Sequence, residues 1–272
     1  MKTNKKVLND FNEMIKKSLS GPNGYSLNEI STKRFYYEPK YAKPIIEYYK
    51  STGRSSNEFH KVRGHDEPSV CSVASSGRLC FLALIDKDNV KFEWHELNGT
   101  SSETIWQKPA IDDAQYDAFD GSTFYECKCQ EFLNEHTGLS NAYIPILKSF
   151  FGLELKEKDG LINGKAKDFL IDIDKDYCDL HFDLKQLFTH LCGIVKAYGN
   201  TNKYTLRYIF FKPKEELIKE NATITEAYNE LDEELDKIKN SRLFKERCNI
   251  NFEYEYINVD EEKFSIDPKD AF

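Results

Sequence analysis

The chain has 272 residues, a net charge of −8 at pH 7, a pI of about 5.4, and 31 % charged and 14 % aromatic residues. So many aromatics in a chain of this length exclude a disordered protein and supply a full core, read as one large domain or a domain with an appendage. The acidic balance excludes a protein that coats nucleic acid through bulk charge, and no apolar run approaches membrane-spanning length.

Residues 5–19 carry Val7, Phe11, Ile15 and Leu19 at helical spacing and predict an amphipathic helix that stops before Gly21-Pro22-Asn23-Gly24. A second helix is expected from Lys43 to Thr52. Ser75-Ser76 reads as the cap of a helix running through Leu84. Val90 to Leu97 alternates as a strand. Residues 116–130 read as a strand, a two-residue turn at Asp120-Gly121 and a second strand. The following segment, 131–180, predicts one helix from Tyr143 to Phe151, with Pro145 in its first turn, and a charged, glycine-containing stretch from Lys156 to Lys167. Leu184, Leu187, Phe188, Leu191 and Ile194 share one face of a helix. Tyr204 to Phe211 is a strongly β-prone strand stopped by Pro213. The tail predicts a charged helix from about Ile224 to Phe244 and an alternating strand from Asn249 to Ile257 that extends the sheet. Asp260 to Phe272 is charged and expected to be loose.

The hairpin carries the chemistry. On its second strand Phe124, Glu126, Lys128 and Gln130 point one way, and Tyr125, Cys127 and Cys129 the other. A carboxylate and an ammonium therefore stand side by side, with Asp117 across the hairpin. Two carboxylates beside a lysine suit metal-assisted phosphodiester cleavage. Asp117 and Glu126 offer the oxygen ligands that Mg2+ prefers, with Mn2+ as a substitute. The metal would polarise the phosphate and acidify a bound water. Lys128 would orient or activate that water, or neutralise charge in the transition state.

Asp117 followed by Glu126-Cys127-Lys128 resembles the core motif of the PD-(D/E)xK nucleases, the restriction-endonuclease-like superfamily. No proline precedes Asp117, and Pro109 lies well upstream. The metal ligand therefore stands open among Asp113, Asp117 and Asp120. Asp117 is preferred, since Asp120 is explained as a turn residue and Asp113 precedes the strand. The predicted elements follow the family's order of helix, three strands, helix and strand. The resemblance implies an α/β restriction-endonuclease-like core over residues 57–212, with a mixed sheet flanked by helices. Residues 131–180 would be an insertion, 1–56 an N-terminal helical segment, and 213–272 a helix and strand extending the same domain. It further implies a Mg2+-dependent endonuclease acting on double-stranded DNA in restriction or phage defence. The Cys127 carbonyl would be an added metal ligand, and a homodimer would cut both strands. Glu58 occupies the upstream position at which related nucleases carry an acidic residue that completes the metal site.

Accessory positions follow from spacing. Gln186 and His190 are four apart and share a helix face, which adjoins Glu126 in the family fold. They are read as phosphate contacts, as positioners of water, or as polar borders of an apolar stripe. Gln130 shares the strand face of Glu126 and Lys128 and is read as binding DNA or shaping the pocket. Lys61 and Arg63, with Arg78 nearby, form a basic cluster read either as a DNA contact or as a solvated face. Seven cysteines without a Cys-x-x-Cys pair read as reduced thiols, and structural zinc is disfavoured for want of ligand spacing. The basic N-terminus lacks the apolar stretch of a signal peptide, so the expected compartment is the cytoplasm. The rival readings are a DNA repair, recombination or RNA nuclease of the same fold, and a non-catalytic nucleic-acid-binding scaffold.

Overall fold

The computed structural model describes residues 5–19, 28–31, 34–36, 47, 74–84, 87, 89–95 and 115–259. Helix α1, Lys5–Leu19, buries Phe11, Ile15 and Leu19 as its spacing predicts. Ser18 near its end accepts a hydrogen bond from the Lys214 amide at 2.8 Å, which ties the helix to the C-terminal part of the chain. Strands β1 (Asn28–Ser31) and β2 (Arg34–Tyr36) form an antiparallel pair. The expected helix at 43–52 falls outside the described residues apart from Glu47, and so does the tail from Asp260.

Helix α2, Ser76–Leu84, starts where its cap predicts: Ser75 Oγ accepts from the Arg78 amide at 3.1 Å. Strands β3 (Lys91–His95), β4 (Gln115–Phe119) and β5 (Thr123–Lys128) follow as an antiparallel meander. Residues 131–180 hold α3 (Ile144–Phe151) and a hairpin of β6 (Lys156–Lys158) and β7 (Leu161–Asn163). The hairpin turns on Asp159 and Gly160, both at positive φ (53° and 82°), the backbone that a tight hairpin turn requires. Helix α4, Leu184–Tyr198, is capped by Asp183, whose carboxylate accepts from the Gln186 amide at 3.1 Å. Strand β8 (Thr205–Lys212), the short α5 (Glu215–Lys219), α6 (Ala222–Lys239) and β9 (Asn251–Asn258) complete the described chain. The helix expected to reach Phe244 ends at Lys239, because Asn240 caps it and the Arg242 amide turns away to bond Leu170 O.

The result is an α/β fold around a mixed five-stranded sheet of order β3-β4-β5-β8-β9. β5, β8 and β9 run parallel, while the β3–β4 and β4–β5 pairs are antiparallel. Helices flank both faces. Cys127 on β5 meets Cys80 of α2, whereas its neighbour Glu126, pointing the other way, meets Gln186 of α4. Tyr254 and Tyr256 of β9 share the α4 face and reach α6, where Tyr254 donates to Asp236 at 2.6 Å. Tyr116, Phe119, Phe124 and Tyr198 pack ring on ring between sheet and α4, closing the core behind the hairpin.

Candidate active site

Strand alternation puts Glu126 and Lys128 on the α4 face, and the four-residue spacing of Gln186 and His190 aims both at them. Lys128 Nζ donates to Glu126 Oε1 at 2.5 Å, and Gln186 Nε2 donates to the same oxygen at 2.7 Å. Glu126 Oε2 lies 3.7 Å from His190 Nε2. Glu126 is only 4 % exposed, so its carboxylate is held by these partners rather than by water. Burial alone would lower the Lys128 pKa. The charges of Glu126, Glu131 and Asp117 outweigh it and hold Lys128 above its ordinary value, as an ammonium.

His190 is buried, and its tautomer follows from its neighbours. Nε2 faces the Gln115 carbonyl at 2.9 Å and must donate to it. Nδ1 then accepts from the Tyr208 hydroxyl at 3.2 Å. Desolvation, partly offset by Glu126, lowers the His190 pKa, so the ring is neutral. The Tyr116 hydroxyl bonds the His190 carbonyl at 2.8 Å, which fixes the helix against β4.

Asp117 sits apart from this cluster, at the seam between β4 and β5. Its Oδ2 accepts from the Cys127 amide at 2.7 Å, in the place where a strand carbonyl would stand. The described β4–β5 register runs only through Ala118↔Tyr125 and Phe119↔Phe124. The turn is also displaced from its predicted position. Asp120 precedes it, with Gly121 (φ 103°) and Ser122 at its centre, and the Asp120 amide pairs with Thr123 O. The Asp120 carboxylate accepts from the Ser122 and Thr123 amides and from the Tyr125 hydroxyl, so Asp120 serves the hairpin. Asp113 lies outside the described residues, as do Glu58, Lys61 and Arg63.

The remaining expected positions fall differently. Arg78 is 6 % exposed, which removes it from the open basic cluster that the sequence suggests, because a buried guanidinium does not present itself to a phosphate backbone. Gln130 stands at the residue before the 3₁₀ turn Glu131–Leu133 without a side-chain bond to it, and its Oε1 is buried without a hydrogen-bond partner. Sequence reasoning missed Glu131, Tyr208 and the Gln115 carbonyl. A Glu five residues beyond Glu126 gives no periodic signal, and a tyrosine in an aromatic-rich strand looks like packing.

Lys128, Gln186 and His190 line one side of a cleft of about 440 Å³. Residues 131–137 supply another wall, with Glu131, Asn134, His136 and Thr137, and the 181–185 segment supplies a third. The Lys185 ammonium bridges to Thr137 at 3.2 Å, joining two of the walls. Asp117 and Glu126 offer oxygen donors only, the donor type a hard divalent cation takes. They approach β5 at successive residues, Asp117 through the Cys127 amide and Glu126 from its own side chain. Glu126 faces α4, whereas the Asp117 carboxylate lies within 4.8 Å of the Cys80 and Cys127 sulfurs on the α2 side, and both His190 nitrogens are occupied. Comparison with protein-family models, with curated proteins and with solved structures gives no match to this chain.

Proposed function

We propose that this chain is a metal-dependent endonuclease of the PD-(D/E)xK type, hydrolysing phosphodiester bonds of double-stranded DNA in a restriction or defence role. The observation that carries the reading is the Glu126–Lys128 pair on β5: Lys128 and Gln186 stand in the wall of a polar cleft, and both bond the buried Glu126 carboxylate. Asp117 and Glu126 would hold Mg2+ or Mn2+, with the carbonyl of Cys127, the residue after Glu126, as an added ligand. The ion, when bound, supplies phosphate polarisation and a more acidic water.

The chain's own residues do the rest. Lys128, kept charged by three carboxylates, cannot accept a proton from water. Its ammonium instead orients the nucleophile and neutralises the charge that develops on the phosphate oxygens. Gln186 fixes the Glu126 carboxylate, and neutral His190 stiffens the helix that carries Gln186.

Cleavage of plasmid and unmethylated genomic DNA with Mg2+ or Mn2+ tests the reading. Wild type should cut, and Lys128→Ala and Glu126→Ala should each lower the rate by at least about a hundredfold. Cutting that survives both substitutions sinks the site. One observation favours a second reading. The Glu126 cluster satisfies much of its own hydrogen bonding, as the polar hub of a non-catalytic scaffold would. That reading expects no cleavage of DNA or RNA, and a large loss of stability in Glu126→Ala.

A further inference from the structure

Behind β5, on the α2 face, lies a second group, which shares Asp117 with the proposed cleavage site but adds two thiols that the cleavage does not use. The Cys80 and Cys127 sulfurs and an Asp117 carboxylate oxygen all lie within 4.8 Å of one another. The two thiols share a hydrogen bond and are buried, whereas Asp117 is half-buried.

We propose that Cys80, Asp117 and Cys127 form a binding site for a thiophilic divalent cation of the zinc class. Three atoms no farther apart than 4.8 Å can surround one ion. Zinc needs about 2.3 Å to each sulfur and about 2.0 Å to oxygen, so the ligands must close in by roughly an ångström at most. Backbone structure holds the three ligands at this spacing. Cys127 sits in the centre of a sheet, paired with Ile209 of β8, and Asp117 is already pinned by the Cys127 amide at 2.7 Å. Cys80 lies on a two-turn helix capped by Ser75, so both sulfurs come from fixed backbone. Two thiolates and one carboxylate leave a fourth tetrahedral position for water. The donor chemistry separates this site from the oxygen-only demand of magnesium, because sulfur donors select soft and borderline metals. Binding would release both thiol protons, since a coordinating thiol is deprotonated. The site stands whether or not the chain cuts DNA.

The test is titration of the full-length, reduced protein with Co2+ and then Zn2+. Cobalt should produce thiolate-to-metal charge-transfer absorption in the near ultraviolet, and zinc should abolish it by displacement. X-ray absorption of the zinc-loaded wild type should show two sulfurs at about 2.3 Å and oxygen at about 2.0 Å. Cys80→Ser and Cys127→Ser should each weaken cobalt binding by more than about tenfold, and Asp117→Asn should weaken it while keeping an acceptor for the Cys127 amide. Cys178→Ser, at a half-buried thiol of the 131–180 segment, should change nothing. Should Cys127→Ser fail to fold, the wild-type spectra and Cys80→Ser decide. Absence of the charge-transfer band, a zinc shell without sulfur, or a band that survives Cys80→Ser overturns the proposal.

Discussion

Glu234 shows how far one buried carboxylate can bias the molecule. It is 4 % exposed; Oε2 accepts from the Phe182 amide at 3.0 Å, while Oε1 makes no hydrogen bond and lies 3.9 Å from Lys175. Burial pushes its pKa up to about 7, against the pull of that amide and of Lys175. A carboxyl raised in the folded state favours folding while protonated. Stability should therefore fall as pH rises from about 4.5 towards 7, by about 3 kcal/mol from this group alone. Glu234→Gln should flatten that fall and be more stable than wild type at pH 8. Urea unfolding of both proteins at pH 5 and pH 8 measures it, and parallel pH profiles would refute the assignment. Legibility at this scale was uneven. The β5 alternation and the Gln186–His190 spacing were enough to bring four side chains together. Asp117 was misjudged in its surroundings, because period-two alternation assumes an intact ladder and cannot register an aspartate that replaces a strand carbonyl. Cys80 and Cys127 come from a helix and a strand far apart in sequence, so ligand spacing could not reveal their meeting.

Among the elements, the β4–β5 hairpin depends on Asp120. Its carboxylate closes the turn through two amides and the Tyr125 hydroxyl. Burial pushes the Asp120 pKa up, but those hydrogen bonds outweigh it and leave the pKa lowered. Its contribution is thus present above the unfolded value and lost on acidification, opposite in sign to Glu234. Asp120→Ala should cost about 1–3 kcal/mol at pH 7 and less at pH 3. Chemical denaturation at the two pH values checks this, and an equal loss at both would show that the carboxylate charge is irrelevant. Ser75→Ala should cost about 1 kcal/mol through the lost α2 cap, read as a shift in the denaturation midpoint. Caps and periodic faces are local, which is why α1, α2, α3 and α4 were legible. The β6–β7 hairpin escaped notice although Asp159-Gly160 has the composition of a hairpin turn, because charge dominates its short strands and leaves no apolar alternation.

The whole molecule is knit by its parallel half. β5 joins β8 and β8 joins β9 only after long excursions, so these pairings are non-local and slow to form. β9 pairs with β8 along its full length, and Phe252 packs against Phe182 and Tyr208, next to the hydroxyl that holds His190. A chain ending at Lys239 should lose near-ultraviolet circular dichroism and expose β8 as a raw edge prone to aggregation. A soluble, cooperatively melting truncation would show that the tail is dispensable. Element order was readable from the sequence, and so was the addition of a last strand to the sheet. Strand order and direction were not, because they are set by which excursion returns to which edge. Among the described residues, no helix is long and apolar enough to cross a membrane.

The bond from the Cys127 amide to Asp117 gives the molecule an internal reporter. An amide that donates to a carboxylate, rather than to a neutral carbonyl, takes a chemical shift set by that carboxylate's charge. In nitrogen-15-labelled protein, the Cys127 resonance would therefore register protonation of Asp117, capture of Asp117 by magnesium, and capture by a thiophilic ion as three separate displacements. A single nucleus could follow which cation holds the seam, without substrate and without a substitution.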